Sequence, residues 1–254
     1  MKANKYYSRL SYSKKTYSQF DEDGIIEHLI FALNNPTKKC VEIGWGSDIL
    51  VKGRIISHAE NCTQNLVQHH QYTCHAFDGK RQHSIPDNVI FEKGRITPDM
   101  CNQLIKKFPN KVDLFSLDID SFDFEIMSGL FNLGFRPSIV CAEINRKFGY
   151  EAECSMPYIE DCMHYTGKFW HGVSYLKYKR YFENMGYKFF TLCSSGVNIF
   201  FYNPKELNES KLTDEVLEFI TSEEDGLPRY NETEIRNFCK SHEFWKDYED
   251  DLFK

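Results

Sequence analysis

The sequence contains no C-x-x-C pair, no apolar run long enough to cross a bilayer and no surplus of basic residues. Each absence removes a class of function. The nine cysteines are scattered through 254 residues, without the paired spacing of a structural zinc site. Several fall inside apolar runs, where a thiol packs as a small hydrophobe. That usage points to a reducing, cytoplasmic compartment. The opening MKANKYYSRLSYSKK is polar throughout, so no secretory leader is expected. No stretch approaches the roughly 20 apolar residues of a membrane span. A net charge of −6 argues against a general nucleic-acid binder, which carries a basic excess. Internal repeats and low-complexity tracts are also missing.

What is present is the balance of a soluble globular chain, with 41% hydrophobic, 27% charged and 15% aromatic residues. The charge is unevenly spread. Residues 205–254 hold 15 acidic and 7 basic side chains, a net −8, which leaves +2 for the rest of the chain. A body over 1–203 and an acidic, helical appendage over 204–254 are therefore expected.

Within the body, apolar periodicities alternate between helix and strand. SQFDEDGIIEHLIFALNN spaces Ile25, Ile26, Leu29, Ile30 and Leu33 as one helical face. KKCVEIGWG is a buried strand stopped by glycines, and ISHAENCTQNLVQHHQ is a helix leading to the strand TCHAF. NVIFEKGRI, VDLFSLDID and SIVCAEIN are further strands. TPDMCNQLIKKF, FDFEIMSGLFNLG and HGVSYLKYKRYFENMG are helices. YKFFTLCSSGVNIFFYN closes the body as two strands joined by Ser-Ser-Gly. Alternating elements with short connections predict an α/β fold with a Rossmann-like, doubly wound, mainly parallel sheet and an antiparallel hairpin at one edge. Such a sheet binds ligands beyond the carboxyl ends of its strands.

Those ends carry the candidate chemistry. Gly44 and Gly46 allow a ligand to approach the backbone, Glu42 offers an acceptor, and Asp78 ends the second strand where a carboxylate takes the hydroxyls of a ribose. The full G-x-G-x-x-G is lacking, and Asp48 repels a pyrophosphate. LDIDSFD sets Asp118, Asp120 and Asp123 around a strand end. Strict alternation would put Asp118 and Asp120 on one side. With Glu143 and Asn145 from AEIN, they make an oxygen-rich set suited to Mg²⁺ or Mn²⁺. The competing reading has Asp118 accepting backbone amides and Asp123 capping the following helix. His171, at a helix start in WHGVS, is either a general base or a packed group.

Together these motifs resemble the FkbM-like methyltransferases, a branch of the class I S-adenosylmethionine-dependent fold. YSQFDEDGII, VEIGWG, NCTQNLV, AFDGK and ITPDMCNQL match in order. VDLFSLDIDSFDFEIM, IVCAEIN, HGVSYLKYKRYFENMGYKF and SSGVNIFFY complete the series from about Tyr17 to Tyr202. The resemblance implies O-methylation of a hydroxyl on a sugar, glycan or small molecule, with S-adenosyl-L-methionine as cofactor and a divalent metal, Mg²⁺ or Mn²⁺, as an aid. By position it implies that Glu42, Gly44 and Gly46 line the methionine part of the cofactor and that Asp78 holds its ribose. It places Ile96 beside the adenine and Gln19 and Asp23 near the cofactor or in a lid over it. It implies that Asp118 and Glu143 hold the metal or orient the acceptor hydroxyl, that Asp120 is the best candidate base, and that Asn145 and Asn198 line the acceptor pocket. Two alternatives stay open at this level: a non-catalytic module that keeps the fold, and a nucleotide-dependent oxidoreductase. Self-association is left open.

Overall fold

The computed structural model describes residues 10–46, 49–51, 54–57, 60–80, 85–160, 171–220, 224, 226–242 and 245–254. Seven strands form one sheet: β1 (Lys39–Ile43), β4 (Thr73–Asp78), β5 (Val89–Lys93), β6 (Leu114–Leu117), β7 (Ile139–Glu143), β8 (Lys188–Leu192) and β9 (Asn198–Tyr202). Their order is β5-β4-β1-β6-β7-β9-β8. The first five pair in parallel, while β9 runs antiparallel to both β7 and β8. The predicted terminal hairpin is therefore present, with its second strand inserted beside β7. This order, with one reversed strand next to the edge, is that of the class I methyltransferase fold.

The central strands are buried on both faces, as parallel strands under helices must be. Val41, Ile43, Phe115, Leu117, Val140, Ala142, Ile199 and Phe201 point into one core, and Cys40, Cys74, Leu114, Ile139, Cys141 and Phe200 into the other. Helices α3 (Cys101–Leu104), α4 (Asp123–Asn132) and α5 (Tyr175–Asn184) cover the first face; α1 (Glu22–Ala32) and α2 (Gln64–His69) cover the second.

One departure from the sequence reading has a local cause. Among the described residues of ISHAENCTQNLVQHHQ the expected helix forms only as α2, and an antiparallel pair, β2 (Ile49–Val51) and β3 (Arg54–Ser57), precedes it. The chain before α2 is committed elsewhere. The Asn61 side chain binds Gly46, accepting from its N–H and donating to its carbonyl, both at 2.8 Å. The segment after residue 203 is also closely joined to the body. Leu33 and Leu207 form a β-bridge, and the Leu192 N–H donates to the Leu217 carbonyl at 2.8 Å. Helices α6 (Glu232–Ser241) and α7 (Glu249–Leu252) build a third apolar cluster with Phe148, Ala152, Cys154 and Met156. Among the described residues no helix is long and apolar enough to cross a membrane.

Candidate active site

The carboxyl ends of β1, β4, β6 and β7 place the residues singled out above along one edge of the sheet. Gly44 follows β1 with φ +98°, and a Cβ there would lie 1.7 Å from the Asp118 carbonyl oxygen. The close passage of β1 against the end of β6 therefore excludes any side chain. The Gly44 and Trp45 N–H groups both donate to the Phe77 carbonyl, at 2.8 and 3.1 Å. At Gly46, by contrast, a Cβ would meet only Asn61 Oδ1, at 3.8 Å. Ser47 and Asp48 lie outside the described residues.

Glu42 turns its carboxylate toward the start of α2. Oε1 accepts from the Cys62 N–H at 3.0 Å, and Oε2 from the Thr63 N–H at 3.0 Å and the Thr63 hydroxyl. Burial pushes its pKa up to about 7, against these bonds. Asp78 is half-buried at the end of β4, accepts from the Lys80 N–H, and is raised by that burial. Ile96 is packed in the first core.

At the start of α1, three consecutive acids, Asp21, Glu22 and Asp23, are fully buried. Asp21 accepts from the Ser194 N–H at 2.7 Å and from the Ser194 and Ser13 hydroxyls. Glu22 accepts from Asn198 Nδ2 at 3.0 Å, and burial raises its pKa. Asp23 Oδ2 gathers the N–H groups of Thr16, Tyr17 and Ser18. These bonds bind the N-terminal segment to the turn between β8 and β9. Gln19 is exposed, and its carbonyl accepts from Lys15 Nζ.

Beyond β6 and β7 the acids converge. Strand β6 ends at Leu117, and Asp120 adopts φ +56°. The alternation that would have set Asp118 and Asp120 on one side therefore does not extend this far, because a left-handed residue reverses the chain. Asp123 holds that turn, accepting from the Ile119 N–H at 2.9 Å and the Ser121 N–H at 3.0 Å. It thus braces the loop before α4 rather than capping the helix. Burial raises its pKa to about 6.

Asp120, Glu143 and His171 each offer a ligand atom within 4.8 Å of the others. His171 reaches them because its arm is anchored: Asn145 Nδ2 donates to the His171 carbonyl at 3.0 Å, and the Gly172 N–H donates to the Ser121 carbonyl at 2.7 Å. Asp118 follows the end of β6, enclosed by protein yet with its side chain open to solvent. Enclosure first, then repulsion from Asp123 and Asp120, pushes its pKa up to about 8; water reaching the carboxylate screens part of that penalty. Glu143 is raised well above the usual range by burial and by Asp118, Asp120 and Asp123. Like charges this close cannot all ionise without a proton or a cation among them. Burial lowers the pKa of His171, so its imidazole is neutral near pH 7 despite Asp120.

The donor set of two carboxylates and an imidazole suits a hard divalent cation. Glu143 Oε2 is buried and has no hydrogen-bond partner, which leaves it free to ligate. Sequence reasoning picked out all three residues but grouped Glu143 with Asp118. It missed Asn61, Asp21 and Glu22, whose importance lies in contacts across the chain that leave no local signal.

No family model and no curated protein sequence matches this chain. Among solved structures it is similar to the MycE methyltransferase from the mycinamycin biosynthetic pathway, in complex with Mg and SAH, and to the same protein with Mg, SAH and mycinamycin VI. Both align at TM-score 0.34 and 14% identity over 46% of this chain. The aligned part spans 30% of that protein's length.

Proposed function

We propose that this protein is an S-adenosylmethionine-dependent O-methyltransferase that acts on a hydroxyl of a sugar, glycan or small molecule with the help of a divalent cation. The observation that carries the reading is the meeting of Asp120, Glu143 and His171 within 4.8 Å, at the strand ends of a sheet with class I methyltransferase order.

Gly44, Gly46 and Asp78 are the residues that would receive the cofactor, and Asp120, Glu143 and His171 those that would hold Mg²⁺ or Mn²⁺. The first supplies an electrophilic methyl on a sulfonium, and the second makes a bound alcohol more acidic. The chain contributes placement, which accounts for several kcal/mol of barrier in reactions of this kind. Asp118 lies close to these acids. Burial and its acidic neighbours make its carboxyl basic, so in its ionised form it takes the hydroxyl proton on Oδ1 or Oδ2 as the oxygen bonds the methyl carbon and the sulfonium sulfur leaves as a thioether. The acid-rich floor repels phosphorylated and carboxylated acceptors and favours neutral polyols.

Calorimetric titration with adenosylmethionine and its demethylated product, with and without Mn²⁺, tests the reading directly. Asp120→Asn and Glu143→Gln should each weaken Mn²⁺ binding by at least about tenfold, equivalent to 1.4 kcal/mol, and leave cofactor affinity close to that of the parent. Asp118→Asn should leave both affinities in place and lower turnover by about two orders of magnitude. A protein that binds neither ligand would be a non-catalytic module on this fold.

A further inference from the structure

We infer that Leu252 is a positioning residue for the arm that carries His171, so that the acidic segment at 230–254 is part of the site's framework. The inference rests on the cation reading above for its functional consequence, and on a continuous row of hydrogen bonds for its structure.

The row starts at the end of β7, where the Asn145 N–H donates to the Val173 carbonyl at 2.8 Å. Residues 172–174 then pair antiparallel with 154–156. Ser155 and Val173 sit opposite each other. The Met156 N–H donates to the Gly172 carbonyl and the Ser174 N–H to the Cys154 carbonyl, both at 2.9 Å. The outer edge of 154–156 is closed by one further bond, from the Ser155 N–H to the Leu252 carbonyl at 2.8 Å. His171 adjoins this row directly. An unpaired outer edge would expose the Ser155 N–H to water and loosen everything inward of it.

Side-chain packing holds the outer member in place. Leu252 is fully buried in the third cluster, with Phe148, Cys154 and Met156 on the arm side and Ile235 and Trp245 on the other. Arg236 of α6 pairs with Glu249 at 3.1 Å and lies over the Phe253 ring at 4.0 Å, which clasps α7 to α6. The Tyr230 N–H donates to the Lys147 carbonyl at 2.9 Å and fixes the near end of the segment. Among the described residues, no hydrogen bond of the row reaches Gly44, Gly46 or Asp78. Loss of Leu252 should therefore separate the two halves of the site.

The test compares full-length Leu252→Ala and Leu252→Met with the parent by amide hydrogen exchange and by titration with Mn²⁺ and adenosylmethionine. In Leu252→Ala, exchange at Ser155, Met156 and Ser174 should quicken by about tenfold or more. Mn²⁺ affinity should fall by about tenfold, and cofactor affinity should stay within about twofold. Leu252→Met should keep both exchange and Mn²⁺ affinity at the parent's values, because it conserves volume. Unchanged exchange in Leu252→Ala overturns the inference, and so does a parallel fall in both affinities, which would mean general loosening. If Leu252→Ala does not fold, Arg236→Ala, which releases the α6–α7 clasp from outside the core, serves for the same comparison. A parent protein that binds no Mn²⁺ would sink the cation reading, while the exchange comparison would still decide the positioning role.

Discussion

Gly44 and Gly46, one residue apart, are glycines for different reasons. Gly44 has positive φ, and its missing Cβ makes room for the Asp118 carbonyl, so the residue is required by the fold itself. Gly44→Ala should cost more than about 3 kcal/mol, since backbone strain adds to a clash with main chain that has little freedom to move. Gly46→Ala meets nothing closer than 3.8 Å and should stay within about 1 kcal/mol of the parent. Paired chemical denaturation and cofactor titration check both. If the turn receives the cofactor, Gly46→Ala loses affinity without losing stability. The Gly-x-Gly pattern showed that both positions were special, and only the approach of β6 separated their roles.

At the level of elements, buried acids serve as brackets between segments. Glu42 on β1 holds the start of α2, and Asp123 on α4 holds the turn after β6. Their carboxyls rise from 4.5 to about 7 and from 3.8 to about 6. The folded state therefore binds more protons than the unfolded state between about pH 4 and pH 7, and the slope of stability with pH follows that difference. The contribution of these groups is complete below that window and is lost as pH rises through it. His171, with a lowered pKa, acts in the opposite sense just below the ordinary imidazole range. Thermal melts in cation-free buffer should show the melting temperature falling from pH 4.5 toward pH 7, and Glu42→Gln should flatten that slope. A slope unchanged in Glu42→Gln would show that the carboxyl titrates normally. A sequence reading takes a glutamate before Gly-x-Gly as a ligand residue, because its partners Cys62 and Thr63 are distant in the chain.

Among the described residues three apolar clusters hold the molecule, two flanking the sheet and a third joining Phe148, Cys154 and Met156 to Ile235, Trp245 and Leu252. Trp245 is almost completely buried in the third cluster. Trp245→Ala should cost about 3–5 kcal/mol through lost contacts and the cavity left behind. Because Phe148 and Cys154 belong to the same cluster and lie on the chain leaving β7, urea unfolding should remain a single transition at lower midpoint. A separate early transition would instead mark 230–254 as an independent unit. The composition shift at residue 204 predicts an appendage, and its few apolar side chains, Trp245 and Leu252 among them, pack it against Phe148, Cys154 and Met156.

Element type and order, the switch from strand to helix periodicity, and the assembly of acids at strand ends are determined by the sequence, because each depends on neighbours a few residues away. Local rules also single out Asp120, Glu143 and His171 as groups that carry chemistry. Which of them meet was decided by tertiary structure alone. The left-handed turn at Asp120, the docking of the 171–174 arm on Asn145 and the closing of its outer edge by Leu252 depend on contacts between segments far apart in the chain. The burial that shifts their pKa values exists only once those segments have packed.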